Sequence, residues 1–147
     1  MKELDFILFE KEVRQLLSHI TQMSLATCNN NKVTARTIFV ICKDFDILFL
    51  TKRSYNKYKQ ILKNPNVALC VDNIQIEGIA YIKGHPQLEE NKKFVDYCLE
   101  NGYESFKRYM KNKTTALIQV EPKLITLWKG NGREYLDLDK QTAYRVG

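Results

Sequence analysis

Hydrophobic positions along the chain change period several times, and each change marks an element. Phe9, Val13, Leu16, Leu17 and Ile20 recur at helical spacing, which predicts an amphipathic helix from about Asp5 to Ile20. Met23 to Cys28 and Val33 to Cys42 are strand-like runs flanking Asn29-Asn30-Asn31-Lys32, whose asparagines tolerate left-handed turn conformations, so a β-hairpin follows. Lys43-Asp44-Phe45-Asp46 turns the chain again before a third strand, Ile47 to Thr51, a short helix, Tyr55 to Lys63, and a fourth strand, Val67 to Asp72. A fifth strand runs from Gly78 to Gly84, with a start as early as Ile74, and Gly84-His85-Pro86 ends it. Glu89 to Asn101 reads as a helix and Tyr103 to Lys111 as a second one after a break at Gly102. Leu117 to Val120 and Leu124 to Lys129 read as two strands, because Pro122 between them cannot donate to a ladder. The sum is a mainly β, α+β fold: one antiparallel six- or seven-stranded β-barrel with helical insertions, forming a single domain over 1–147.

Composition narrows the setting. A chain of 147 residues with 44% hydrophobic and 27% charged residues has the make-up of one soluble globular domain. Its formal charge of +6 suits an anionic partner, yet acidic residues interleave with the basic ones, so a phosphorylated small molecule fits as well as nucleic acid. No long uncharged apolar stretch predicts a membrane span, the N-terminus does not read as a signal peptide, and a cytoplasmic location is expected. Cys28, Cys42, Cys70 and Cys98 stand alone without a CxxC pair, and His19 and His85 lack ligand-spaced neighbours. Buried free thiols are therefore expected, and no metal site.

Candidate chemistry concentrates between Phe49 and Leu69, FLTKRSYNKYKQILKNPNVAL. A strand ending at Thr51 runs into Lys52 and Arg53, Ser54 is a natural N-cap, and Tyr55, Tyr58, Ile61 and Leu62 share one helical face. The free first-turn N–H groups, the helix dipole, the Ser54 hydroxyl and the ammonium groups of Lys52 and Lys57 would converge on one anion. A solvated basic helix face is the plainer explanation of the same residues.

The order of four segments resembles the pyridoxamine 5′-phosphate oxidase-like family of FMN-binding split barrels: SLATCNNNKVTARTIFV, FLTKRSYNKYKQILKNPNVAL, GIAYIKG and LITLWKGNGR, together covering roughly residues 10 to 133. The most specific piece is Thr51, Lys57, Asn64 and Pro65 in register. The resemblance implies a split β-barrel homodimer with FMN in a cleft between subunits. It implies flavin-phosphate and ribityl contacts from Arg36, cofactor contacts from the strand end at Leu50 and Thr51, phosphate contacts from Lys57 and, where the oxidases carry arginine, Asn56, and a late aromatic, Trp128, near the partner subunit's flavin. Departures bear on the reaction. Ile41 stands where the oxidase has a substrate lysine, and Tyr97, Asn101 and Ser105 stand where it has a tyrosine, an arginine and a serine. Ile79 falls near the place of a flavin-contacting glutamine, with Gln75 and Glu77 close by, and Arg133 follows Trp128 one residue early. An FMN oxidoreductase acting on something other than pyridoxamine phosphate is the expectation, with a nicotinamide or organic hydride donor. A flavin-, deazaflavin- or haem-holding module without turnover is the alternative, with haem disfavoured by the histidines. A nucleic-acid-binding barrel using Tyr55, Tyr58 and Tyr81 is a third class.

Overall fold

The computed structural model describes residues 1–101 and 104–147, with the side chain of residue 105 left aside. The expected break at Gly102, the helix start at Tyr103 and the placement of the Ser105 side chain lie outside the described residues. Helix α1 spans Phe6–Ser18 after a three-residue strand β1, Lys2–Leu4, and the Asp5 carboxylate caps it by accepting from Leu8 N at 3.0 Å. The hairpin of β2, Gln22–Asn29, and β3, Lys32–Phe39, turns through Asn30 and Asn31 at φ 53° and 63°, the left-handed pair that the asparagines favour. Then come β4, Ile41–Lys43, β5, Asp46–Lys52, α2, Asn56–Lys63, β6, Asn66–Val71, and β7, Ile74–Ile82. A 3-10 turn at Glu89–Asn91 leads into α3, Lys92–Glu100, and α4 covers Glu104–Met110. Strands β8, Thr115–Lys129, β9, Gly132–Asp137, and β10, Thr142–Val146, finish the chain.

All pairings are antiparallel, in the order β1-β10-β9-β8-β7-β6-β2-β3, with β5 joining β8 and β4 joining β5. The ladder does not close, so the barrel is split. Among the described residues, ten strands replace the expected six or seven. The chain bends at Val40, whose N–H bonds Thr21 O at 2.9 Å, and this separates β4 from β3. The mixed, short runs of β1, β9 and β10 carry too little periodicity to announce themselves.

The two expected late strands are one fifteen-residue strand, β8. Its first half pairs with β5 and its second half with β9, while β7 runs along both. Pro122 is accommodated because the register shifts beside it. Gly78 lies opposite Pro122 and Glu77 opposite Leu124, which leaves Lys123 as the extra residue of a bulge. The strands approach so closely there that a Cβ on Gly78 would lie 2.7 Å from the Glu121 carbonyl oxygen.

Two apolar clusters share β5. Ile47 and Phe49 point into the main core with Leu25, Ile118, Ile125 and α1's Val13 and Leu17. Leu48 points the other way, joining Ile41, Leu117, Val95 and Cys98 of α3, and Phe106 of α4. That explains the unbroken apolar run of β5, a strand covered on both faces. No helix among the described residues is long and apolar enough to cross a membrane.

All four cysteines are free. Cys42 and Cys98 are buried, which raises each thiol to about 12, whereas Cys70 is exposed, contrary to expectation, because neighbouring Leu69 takes the inward position in β6. Iodoacetamide should accordingly label Cys70 first in the native protein and reach Cys42 and Cys98 only after denaturation. Equal native labelling of Cys42 and Cys70, read by mass spectrometry, would contradict this packing.

Candidate functional site

Gln60 sits on the inward face of α2 and is 5% exposed, an amide where an amphipathic helix would ordinarily bury an aliphatic residue. Its surroundings explain it. Thr27 and Thr34, on the inner rows of β2 and β3, donate to Gln60 Oε1 at 2.6 and 2.7 Å. Arg36, further along β3, reaches back into the same cluster. Its Nη1 donates to Thr27 Oγ1 at 2.8 Å and to Leu25 O at 3.2 Å, and its Nη2 to Thr34 Oγ1 at 2.6 Å and Gln60 Oε1 at 3.3 Å. All four acceptors are neutral.

Lys57 stands one helical turn before Gln60. Its ammonium lies 4.7 Å from the Tyr55 ring centroid and forms no ion pair among the described residues. Burial first, and then the charge of nearby Arg36, lower the Lys57 pKa, and burial lowers that of Arg36. Two neighbouring cations without a carboxylate, partly withdrawn from water, leave a positive potential that an anion would relieve.

The α2 N-terminus adds donors. The expected cap, Ser54, is displaced by one residue. The turn from Lys52, closed by Tyr55 N to Lys52 O at 3.0 Å, makes Tyr55 the N-cap, and no side chain caps the helix. Its first-turn amides therefore stay open. The expected apolar stripe is corrected too, since Ile61 is buried and Tyr58 packs on the core, but Tyr55 and Leu62 are exposed.

Beside this cationic corner runs a cleft of about 200 Å³ lined by Thr37 to Ile41, Leu48 to Lys52, Tyr55, Lys57 and, from α4, Phe106 and Tyr109. Of the residues expected at a cofactor site, Leu50, Thr51 and Lys57 line the cleft, and Arg36 is held close enough to act on Lys57. Asn56 opens α2 but is exposed outside the lining. Trp128 is 47% exposed at the far end of β8, under the Arg133 guanidinium at 5.1 Å, and does not meet the others within one chain. Both nitrogens of His85 are engaged, with Asn112 O and with Gln87 N–H. No group of three or more His, Cys, Asp or Glu that could hold a metal occurs among the described residues.

The family model described as pyridoxamine 5′-phosphate oxidase matches residues 9–129, from α1 through β8 and across the whole corner just described. The chain belongs to the pyridoxamine 5′-phosphate oxidase family. A pyridoxine/pyridoxamine 5′-phosphate oxidase from Vesicomyosocius okutanii subsp. Calyptogena okutanii (strain HA) is 35% identical over 80 residues, 52% of this chain. That match spans 37% of the relative's own length. Among solved structures, Campylobacter jejuni ChuZ shares the fold at a TM-score of 0.79 and 18% identity, over 99% of this chain and 65% of that one. General Stress Protein 26 from Bacillus anthracis str. Sterne follows it at a TM-score of 0.69 and 21% identity, over 88% of this chain and 98% of the other.

The positions where the resemblance would place substrate cations, Ile41 and Asn101, carry uncharged side chains. Ile41 is 6% exposed in the second cluster, Asn101 Nδ2 donates to Tyr97 O at 2.7 Å, and Tyr97 donates its hydroxyl to Cys42 O at 3.3 Å. Sequence reasoning missed Gln60, Thr27 and Thr34, although a polar residue beside Ile61 and a threonine in the inward row Met23, Leu25, Thr27 were visible signals.

The cationic corner carries a stability cost with a definite sign. A base whose native pKa is lowered binds its proton less well folded than unfolded, so its cost is complete at neutral pH and fades as pH rises past that lowered pKa. Lys57→Met should therefore raise the urea midpoint of the ligand-free protein at neutral pH, and raise it less in strongly alkaline buffer. A lower midpoint at neutral pH would show instead that the fold uses this charge.

Proposed function

We propose that this chain is a cytoplasmic, FMN-dependent oxidoreductase that works as a homodimer on a substrate other than pyridoxamine phosphate. The observation that carries the reading is the Arg36–Lys57 pair, two adjacent cations held only by neutral groups beside an uncapped helix N-terminus and an apolar cleft. This chemistry fits a phosphate monoester attached to a flat, largely apolar ring. Lys57 and the first-turn amides of α2 would take the phosphate. Thr51 and Leu50 would border the ribityl chain, and the apolar walls at Ile38, Val40 and Leu50 would exclude water from the ring. When bound, the flavin supplies acceptance of a hydride from a nicotinamide or organic donor and passage of electrons to an acceptor.

Support for the dimer comes from incompleteness. A cleft of about 200 Å³ is smaller than the roughly 300–1,000 Å³ of sites that enclose a ligand of this size, so a second wall is needed. The open edge strand β3 presents Val33, Ala35, Thr37 and Phe39 to solvent on one face, with Phe39 63% exposed. Trp128 would then reach the flavin of the partner copy. The substrate reading follows from Ile41 and Asn101, which leave no cation where a substrate phosphate would need one, while Lys43 rests 5.4 Å from the Tyr97 ring centroid. Free thiols throughout suit a reducing compartment.

The test is the visible spectrum of purified protein after incubation with FMN and gel filtration. Retained flavin bands on a dimer-sized peak, bleached by NADH or NADPH, are the expected result. A colourless protein that fails to bind FMN overturns the cofactor, and a monomer that keeps FMN overturns the dimer.

A further inference from the structure

We propose that Gln60 is a positioning residue: its neutral amide fixes the Arg36 guanidinium beside Lys57 without discharging it, so that the charge of the pair stays available to a phosphate group. The inference rests on the phosphate reading of that pair. Arginine can only donate, so the atom facing it must be the amide oxygen, and the amide nitrogen is turned to Lys32 O at 3.4 Å. Oε1 thereby gathers three donors, from Thr27, Thr34 and Arg36.

The choice of residue type is informative. A glutamate would span the same gap, accept the same hydrogen bonds and neutralise a partly buried arginine, which would offset the long 3.4 Å donation to Lys32 O that it gives up. An aliphatic residue would suit the helix face. An amide, which accepts without adding charge, is the solution that keeps the cation for a ligand. The arrangement also limits how Arg36 acts. Four of its N–H directions are spent on protein acceptors, so toward an anion it contributes its field and its remaining Nε–H, while Lys57 supplies direct contact.

The experiment compares the wild type with Gln60→Glu and Gln60→Met in the full chain. Dissociation constants for FMN and for riboflavin, which lacks the phosphate, are read by flavin fluorescence quenching. Gln60→Glu should weaken FMN on the order of tenfold to a hundredfold and leave riboflavin within about threefold, with an unchanged or higher melting temperature without ligand. Gln60→Met, which frees Arg36 without adding charge, should weaken FMN by roughly a few fold and again spare riboflavin. In the ligand-free protein carrying isotope-labelled lysine, the Lys57 titration followed by NMR should move up in Gln60→Glu.

Equal weakening of FMN and riboflavin in either variant would mean that Gln60 only packs the helix, and would overturn the proposal. So would an unmoved Lys57 titration. A wild type that binds no FMN would sink the cofactor reading instead, and the Lys57 titration would still decide whether Gln60 governs the charge of the pair.

Discussion

The Arg36→Ala/Lys57→Ala double variant is expected to lose about 3–5 kcal/mol of FMN affinity, roughly a hundredfold to several thousandfold, and to elute colourless where the wild type elutes yellow. Each cation offers a charge-assisted interaction to a phosphate in a partly desolvated corner. The fold should survive the loss. With Arg36 gone, the Thr27 and Thr34 hydroxyls still donate to Gln60 Oε1, so no buried hydroxyl is orphaned. Lys57 is half-buried, rests on the Tyr55 ring and forms no ion pair among the described residues. Unchanged far-UV circular dichroism together with lost flavin is the predicted combination. Full FMN affinity in a folded double variant would remove the basis for placing the phosphate at this corner.

Phe49→Ala should cost about 3–5 kcal/mol of stability. Phe49 is 2% exposed, lies on the strand shared by both apolar clusters, and has Ile118 of β8 opposite it in register. Because domains of this size are stable by only about 5–15 kcal/mol, the variant should sit near the edge of folding and lose the cleft wall next to it. Leu62→Ala is the control. Leu62 is 59% exposed on α2, and its removal should change the urea midpoint by no more than about 0.5 kcal/mol. A Phe49→Ala loss no larger than that of Leu62→Ala would contradict the burial of β5 against the main core.

Much of this arrangement is legible in the residues, for reasons that differ from element to element. α1 and the β2–β3 hairpin announce themselves because a helical stripe and an asparagine turn are local signals, settled within a few residues. β8 did not, because Pro122 forbids a ladder bond only where the register is regular, and the bulge opposite Gly78 is a property of two strands about forty residues apart. Ser54 looked like the cap because it is the right residue type. The turn held by Arg53 N to Thr114 O at 3.0 Å moved the helix start, and that contact is also long-range.

The same division runs through the site. Lys57 could be read from its own short segment, whereas Thr51 and Leu50 became cofactor contacts through the family resemblance. Arg36 too entered only through that resemblance, and Gln60 not at all. A polar residue on a buried helix face has meaning only once the strands beneath it are known to carry two threonines and an arginine.

β8 joins strands that are finished early in the chain to strands that come last. β5 ends at Lys52 and waits for Thr115, so more than sixty residues must be made before its long edge is covered, and only the three-residue β4 pairs with it meanwhile. During synthesis on the ribosome, the chain therefore carries an apolar strand with an unsatisfied edge while those sixty-odd residues are added. The edge of β5 is covered only when β8 arrives, a long-range pairing that is intrinsically slow. Premature termination upstream of Thr115 would release a species with β5 and β7 both unzipped, a substrate for chaperones or proteases rather than a smaller working domain.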